Sequence, residues 1–197
     1  MISVQNLSHK YAGNADYSVR KISFDIGKGE IFGFLGPSGA GKSTVQKILT
    51  GLLKKQEGHI WIEGTEIDLL NKDFFEKIGV SFELPNLYEK LTGYENLKYY
   101  AGLFSKKTFD PLQVLSWVGL ENDAHKKASA YSKGMKQRLV FARAVISDPE
   151  LLFLDEPLSG LDPATALSVK RVISDFKDRG KTIFLTTHNM FLADEIC

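Results

Sequence analysis

Continuous apolar runs and alternating segments divide this chain into two kinds of predicted strand. Residues 31–35, 78–82, 151–154 and 182–187 are short apolar runs, each followed by a loop and a helical pattern. Such runs predict buried parallel strands of a doubly wound sheet with both faces covered. Residues 2–7, 18–26 and 58–67 carry alternating or β-rich patterns, with glycine turns expected at Gly27-Lys28-Gly29 and at Gly58. They predict antiparallel strands. From residue 92 to residue 147 there is no strand pattern, and helical spacing over 93–103, 111–118 and 134–146 predicts a mostly helical insertion. The fold class is therefore α/β: a parallel core sheet, an antiparallel β subdomain and a helical subdomain inserted over 84–147, in one domain across residues 1–197. A last helical pattern begins at Met190 and stops at Cys197 without capping residues, as expected of a truncated domain.

Composition narrows the function classes. The 197 residues are 43% hydrophobic and 25% charged with a net charge of +1, ordinary for a globular protein. There is no basic excess to ask for nucleic acid. No apolar stretch reaches the 18 residues of a membrane span, and the N-terminus alternates like a strand rather than a signal peptide. The single cysteine, Cys197, cannot form an internal disulfide, which fits a reducing cytosol.

The candidate chemistry starts at the first apolar run. Gly36-Pro37-Ser38-Gly39-Ala40-Gly41-Lys42-Ser43-Thr44 follows predicted strand 31–35 and precedes the helical run from Val45. This is G-x-x-x-x-G-K-[ST], a phosphate cradle at a helix N-terminus. Its glycines let backbone N–H groups approach phosphate oxygens, its lysine reaches the β- and γ-phosphates, and Ser43 ligates Mg²⁺. Chance places the pattern in roughly 1 chain in 100 of this length, so the flanking strand and helix decide for function. Leu151-Leu152-Phe153-Leu154 then ends in Asp155-Glu156. A carboxylate at the C-terminal edge of a buried strand lies beside the cradle. Asp155 is the candidate Mg²⁺ ligand and Glu156 the group that orients or deprotonates the attacking water.

Further along, Tyr131-Ser132-Lys133-Gly134-Met135 precedes Lys136-Gln137-Arg138-Leu139 and Ala142-Arg143-Ala144. This stretch resembles the signature motif of ABC-type ATPases, usually L-S-G-G-Q. Ser159-Gly160-Leu161-Asp162 resembles the D-loop of that family, His188 in Thr186-Thr187-His188 its switch histidine, and Tyr11 the aromatic that stacks on adenine. The motifs fall in family order over essentially the whole chain. The resemblance implies a P-loop NTPase core and two ATPase domains, as homodimer or heterodimer, packed head to tail around two MgATP. Each site would then join the cradle, Asp155, Glu156 and His188 of one copy to Ser132 and Gly134 of the other. It further implies an ATP-hydrolysing subunit of a transporter, attached to the cytoplasmic face of the membrane through a permease. His9, His59 and His125 carry no ligand spacing and read as structural or solvated.

Two departures matter. Glu83, in Ser81-Phe82-Glu83-Leu84, stands where the family normally has the Mg²⁺-ligating glutamine; it keeps an oxygen ligand and adds negative charge. Lys133 and Met135 alter the signature. Both features resemble ATPases of bacterial drug, peptide and ion exporters. The loop from Glu83 to Lys90 carries apolar Leu84, Leu87 and Tyr88. Two readings stand: the three pack under the helical insertion, or the loop and the first helix after it form a docking groove for the membrane subunit, with Glu83 sensing Mg²⁺ and γ-phosphate at one end and Leu87 and Tyr88 touching the partner at the other. The competing functional class is a soluble ABC ATPase acting on DNA or ribosomes. Such proteins usually carry coiled-coil insertions or a second ATPase domain, and this chain carries neither. A small-molecule P-loop kinase would leave residues 131–143 and His188 unexplained.

Overall fold

The computed structural model describes residues 1–197. Strands β1 (Ile2–His9), β2 (Val19–Ile26), β4 (Glu57–Ile62) and β5 (Thr65–Glu66) form an antiparallel sheet in the order β2-β1-β4-β5. Strands β3 (Ile31–Leu35), β6 (Ile78–Ser81), β7 (Leu151–Asp155) and β8 (Thr182–Thr187) form a parallel sheet in the order β3-β8-β7-β6. Its register pairs Ile31 with Ile183, and Leu152 with both Ile183 and Gly79. The helices are α1 (Lys42–Leu49), α2 (Lys72–Lys77), α3 (Gly93–Ala101), α4 (Pro111–Trp117), α5 (Lys133–Val145), α6 (Pro163–Asp178) and α7 (Met190–Ile196).

Unbroken apolarity in the parallel strands follows from two cores. Side chains alternate across a strand. Leu152 and Leu154 of β7, with Ile183 and Leu185 of β8, join helices α3–α7 in one cluster. Leu151 and Phe153, with Phe184, join α1 and the antiparallel sheet in the other. Phe184 centres the second cluster, with Phe34, Phe153, Phe32 and Phe24 at ring distances of 5.7, 5.9, 6.1 and 6.3 Å.

The helical insertion is held by local signals. Thr92 and Glu95 form a reciprocal capping box at α3 (2.8 and 3.1 Å). Asp110 caps α4 with Pro111 at its first position. The C-terminal end of α5 presses against β6, so closely that a Cβ on Gly79 would meet the Ala144 carbonyl oxygen at 2.0 Å.

One expected strand is corrected. Residues 58–67 do not form one strand: β4 and β5 are separated by Glu63-Gly64, both at positive φ (52° and 79°), the geometry of a tight hairpin turn. Gly58 is not a turn residue. It lies within β4, at a break in the β1–β4 register. At its φ of +86° a Cβ would meet the Gln5 carbonyl oxygen at 2.5 Å. The glycine admits a bulge.

Candidate active site

The C-terminal ends of the parallel strands and the N-terminus of α1 enclose a cleft of about 480 Å³. It is lined by Ser18, Pro37, Ser38, Gly39, Gly41, Lys42, Ser43, Thr44, Glu83, Asp155, Glu156 and His188, none of them hydrophobic. Four separately predicted sequence features therefore meet in one place: the cradle, Glu83, the Asp155-Glu156 pair and His188.

The cradle's shape depends on its glycines. Gly39 and Gly41 have φ of +82° and +89°, which glycine adopts at no steric cost. Nothing lies within 4 Å of a Cβ on Gly39, whereas one on Gly41 would meet the Ser18 carbonyl oxygen at 2.1 Å. Gly41 thus admits the β1–β2 loop as well as the turn into α1. That loop also brings Ser18 to the cleft, a lining residue with no sequence signal. Gly36 and Ala40 sit behind the lining: Gly36 offers its carbonyl to Lys42 Nζ at 2.7 Å, and the Ala40 N–H donates to Pro37 at 3.2 Å.

Charge is concentrated at the back of the cleft. Lys42 Nζ donates to the carbonyls of Gly36 and Pro37 (2.7 and 3.0 Å) and lies 3.8 Å from Glu156 Oε1. The same oxygen faces His188 Nδ1 at 2.8 Å, and the Thr187 hydroxyl donates to Oε2 at 3.2 Å. Glu156 is buried, at a φ of +47°. Its N–H donates to the Thr186 carbonyl at 3.1 Å, and the sharp turn aims its carboxylate back across β8. Beside it, the Thr186 hydroxyl donates to buried Asp155. His188 is 63% exposed along its side chain, so its far edge is open. With Nδ1–H on Glu156, a neutral ring presents a lone pair at Nε2 and donates there only when protonated. The expected donation to a phosphate is thus tied to its pairing with Glu156, which the motif did not reveal.

Besides Gly36 and Ala40, four expected binding residues lie outside the cleft lining. Ser132 is exposed and caps α5, accepting from the Met135 N–H at 3.2 Å. Its hydroxyl proton remains available. Gly134 lies against the D-loop segment, where a Cβ would come within 3.7 Å of Leu161 and 3.9 Å of the Gly160 carbonyl. The signature and D-loop stretches therefore form one surface. Asp162 caps α6 through Thr165: its carboxylate accepts from the Thr165 N–H at 3.0 Å and hydroxyl at 2.6 Å. Those bonds hold its pKa below the usual carboxylate value. Tyr11 shares a 3.3 Å hydrogen bond with the Thr44 hydroxyl and packs against the His9 ring edge-on at 5.0 Å. It touches the cradle from outside.

The loop after Glu83 divides between the two readings. Leu87, expected on the docking reading to touch the partner beside Tyr88, instead packs against the helical core, whereas Leu84 is 76% and Tyr88 53% exposed. Tyr88 meets the exposed Tyr99 edge-on at 5.0 Å. Arg143 of α5 donates to the Asn86 carbonyl and lies over the Tyr100 ring, tying the loop to α5.

A sequence profile described as ABC transporter matches residues 19–159. The chain belongs to the ABC transporter family. It is 56% identical over its full length to a fluoroquinolones export ATP-binding protein of Mycobacterium tuberculosis and spans 65% of that protein. It is 38% identical to a lantibiotic transport ATP-binding protein of Streptococcus pyogenes, over 95% of this chain and 80% of that one. Among solved structures it superposes on an ATP-binding cassette captured as a dimer after hydrolysis with ADP and Pi. The TM-score is 0.88 at 28% identity, covering 98% of this chain and 90% of that chain. The architecture of this ABC family member is that of an ATP-binding cassette.

Proposed function

We propose that this chain is the ATP-binding and ATP-hydrolysing part of an ABC exporter, acting at the cytoplasmic face of a membrane through a separate permease. The observation that carries the reading is the cleft itself. A glycine-rich cradle with its lysine, two buried carboxylates and a histidine share one hydrophilic pocket at the sheet's C-terminal edge. The relatives' names, for fluoroquinolone export and lantibiotic transport, support the exporter class. No helix is long and apolar enough to cross a membrane.

The residues divide the work as follows. Backbone N–H groups of Ser38–Thr44, at the N-terminus of α1, bind phosphate oxygens. Lys42 exchanges its carbonyl contacts for the β- and γ-phosphates. Ser43, Asp155 and Glu83 supply hard oxygen donors, the set suited to Mg²⁺, and would hold it. When bound, that ion neutralises phosphate charge. Glu156 takes the proton of the attacking water, and His188 orients Glu156 and faces the γ-phosphate. Tyr11 offers a ring to the base. Ser132 and Gly134, with Asp162 beside them, serve the nucleotide of a second copy, since all three lie on a surface outside their own chain's cleft.

The test uses the full-length protein. Glu156→Gln should retain MgATP binding by calorimetry, lose on the order of 10² or more in turnover, and form an ATP-dependent dimer by light scattering. Specific activity of the wild type should rise with protein concentration. Activity per molecule that stays constant on dilution, with only monomer in ATP, would overturn the shared-site reading.

A further inference from the structure

The last two residues of β8 each donate a hydroxyl hydrogen bond to a carboxylate, one at the last residue of β7 and one at the residue after it. Thr186 donates to Asp155 Oδ1 and Thr187 to Glu156 Oε2. Both threonines are buried, at 0% and 1% exposure. They close an otherwise apolar run, Ile183-Phe184-Leu185, where burial of a hydroxyl without a partner is unfavourable.

We infer that Thr187 is a positioning residue for Glu156, holding the carboxylate in the orientation from which it acts on water. The inference rests on the ATPase reading above. Three observations carry it. First, the Thr187 hydroxyl has a fixed direction. Its oxygen accepts the Asn189 N–H at 3.1 Å, so its proton is committed to Glu156. Second, the Glu156 carboxylate is pinned from two sides: Oε1 by His188 and Lys42, Oε2 by Thr187 alone. Third, Lys42 and His188 both have a second task on the phosphates. When they turn to it, Thr187 is the contact that stays with the carboxylate. The Asn189 side chain also caps α7 through the Leu192 N–H at 3.2 Å, so the start of α7 and the aim of Glu156 share one hydrogen-bonded corner.

The experiment compares Thr187→Val, isosteric but without the hydroxyl, with Thr187→Ser, which keeps it. Steady-state turnover, MgATP affinity and melting temperature are measured on the full-length protein. Thr187→Val should lower kcat about 10-fold to 100-fold, the range for losing a hydrogen bond to a charged group, while MgATP affinity stays within about 2-fold. Thr187→Ser should recover kcat to within about 3-fold of wild type. In a Glu156→Gln background, Thr187→Val should cause no further loss in single-turnover hydrolysis, because residues that act as a unit are not additive.

A Thr187→Val protein with wild-type kcat would overturn the inference. So would a Thr187→Ser variant as impaired as Thr187→Val, or an undiminished Thr187→Val effect without Glu156. The serine comparison decides even where the valine variant is less stable. A wild type that binds no MgATP and hydrolyses none overturns the ATPase reading itself, and this inference with it. An active wild type with an unaffected valine variant overturns this inference alone.

Discussion

Lys42 and Glu156 lie 3.8 Å apart, both buried, so the cleft's cation and its base neutralise one another in this structure. The Lys42 ammonium is also bonded to Gly36 and Pro37 of its own loop. Phosphate oxygens must therefore replace contacts that already satisfy the lysine, and its net contribution to binding is a difference. A charge-assisted hydrogen bond is worth about 1.5–3 kcal/mol. Lys42→Ala should weaken MgATP binding at least about 10-fold by calorimetry while leaving the folded state intact by circular dichroism. Equal affinity for mutant and wild type would remove the lysine from the site.

Phe184 should carry more stability than any residue of the cleft. It is fully buried and touches rings from β2, β3 and β7, so it ties the antiparallel sheet to the parallel one. Phe184→Ala should cost about 3–5 kcal/mol, roughly a fifth or more of a typical domain's stability. Urea unfolding with a midpoint within error of wild type would show that the two sheets do not depend on this cluster.

Periodicity was enough to read the two kinds of strand, because burial on both faces removes the alternation that half-burial leaves. The bulge at Gly58 was not legible, since a lone glycine in a β-rich stretch signals a turn or a bulge equally well. The cradle was legible because phosphate binding demands rare residue types at fixed spacing, Asp155 and Glu156 because they follow a buried strand downstream of it, and Glu83 and His188 through the family resemblance. Ser18 was not, because its backbone reaches the site only through packing against Gly41. The Thr187–Glu156 bond was not legible: the sequence places two hydroxyl residues at the end of an apolar strand, but the β7–β8 register, which sets Asp155 opposite Thr186, and the hydrogen bonds themselves are needed to name Asp155 and Glu156 as the partners.

Acid stability should depend on the helix caps. Asp162 has a lowered pKa, chiefly from the Thr165 hydroxyl, and Glu95 one lowered chiefly by the Thr92 backbone N–H. A folded pKa below the unfolded one means that the unfolded chain binds protons first. Each cap therefore contributes fully above about pH 4–5 and is lost as pH falls through the folded pKa. Asp162→Asn and Glu95→Gln keep a good capping group but do not titrate. In the double variant the loss of stability between about pH 5 and pH 3 should be shallower than in wild type. An unchanged acid limb in denaturant titrations would mean that other carboxylates dominate it.

The loop after Glu83 packs with one residue and presents two others to solvent. Leu87 packs into the helical core, while Leu84 and Tyr88 face outward, with Tyr99 beside Tyr88. The loop begins in the cleft at Glu83, and Arg143 fastens its middle to α5 at Asn86. A surface held this way can sense the nucleotide at one end and touch the proposed permease at the other. Leu87→Ser should destabilise the chain by about 1–3 kcal/mol, the range for placing a polar group among buried apolar ones. Leu84→Ser with Tyr88→Ser should change stability by no more than about 0.5 kcal/mol and leave MgATP affinity near wild type. The same pair should lower co-purification with the membrane subunit and transport. Unchanged co-purification and transport in the Leu84/Tyr88 double variant would rule out docking through this loop, leaving Leu87 as a packing residue and nothing more.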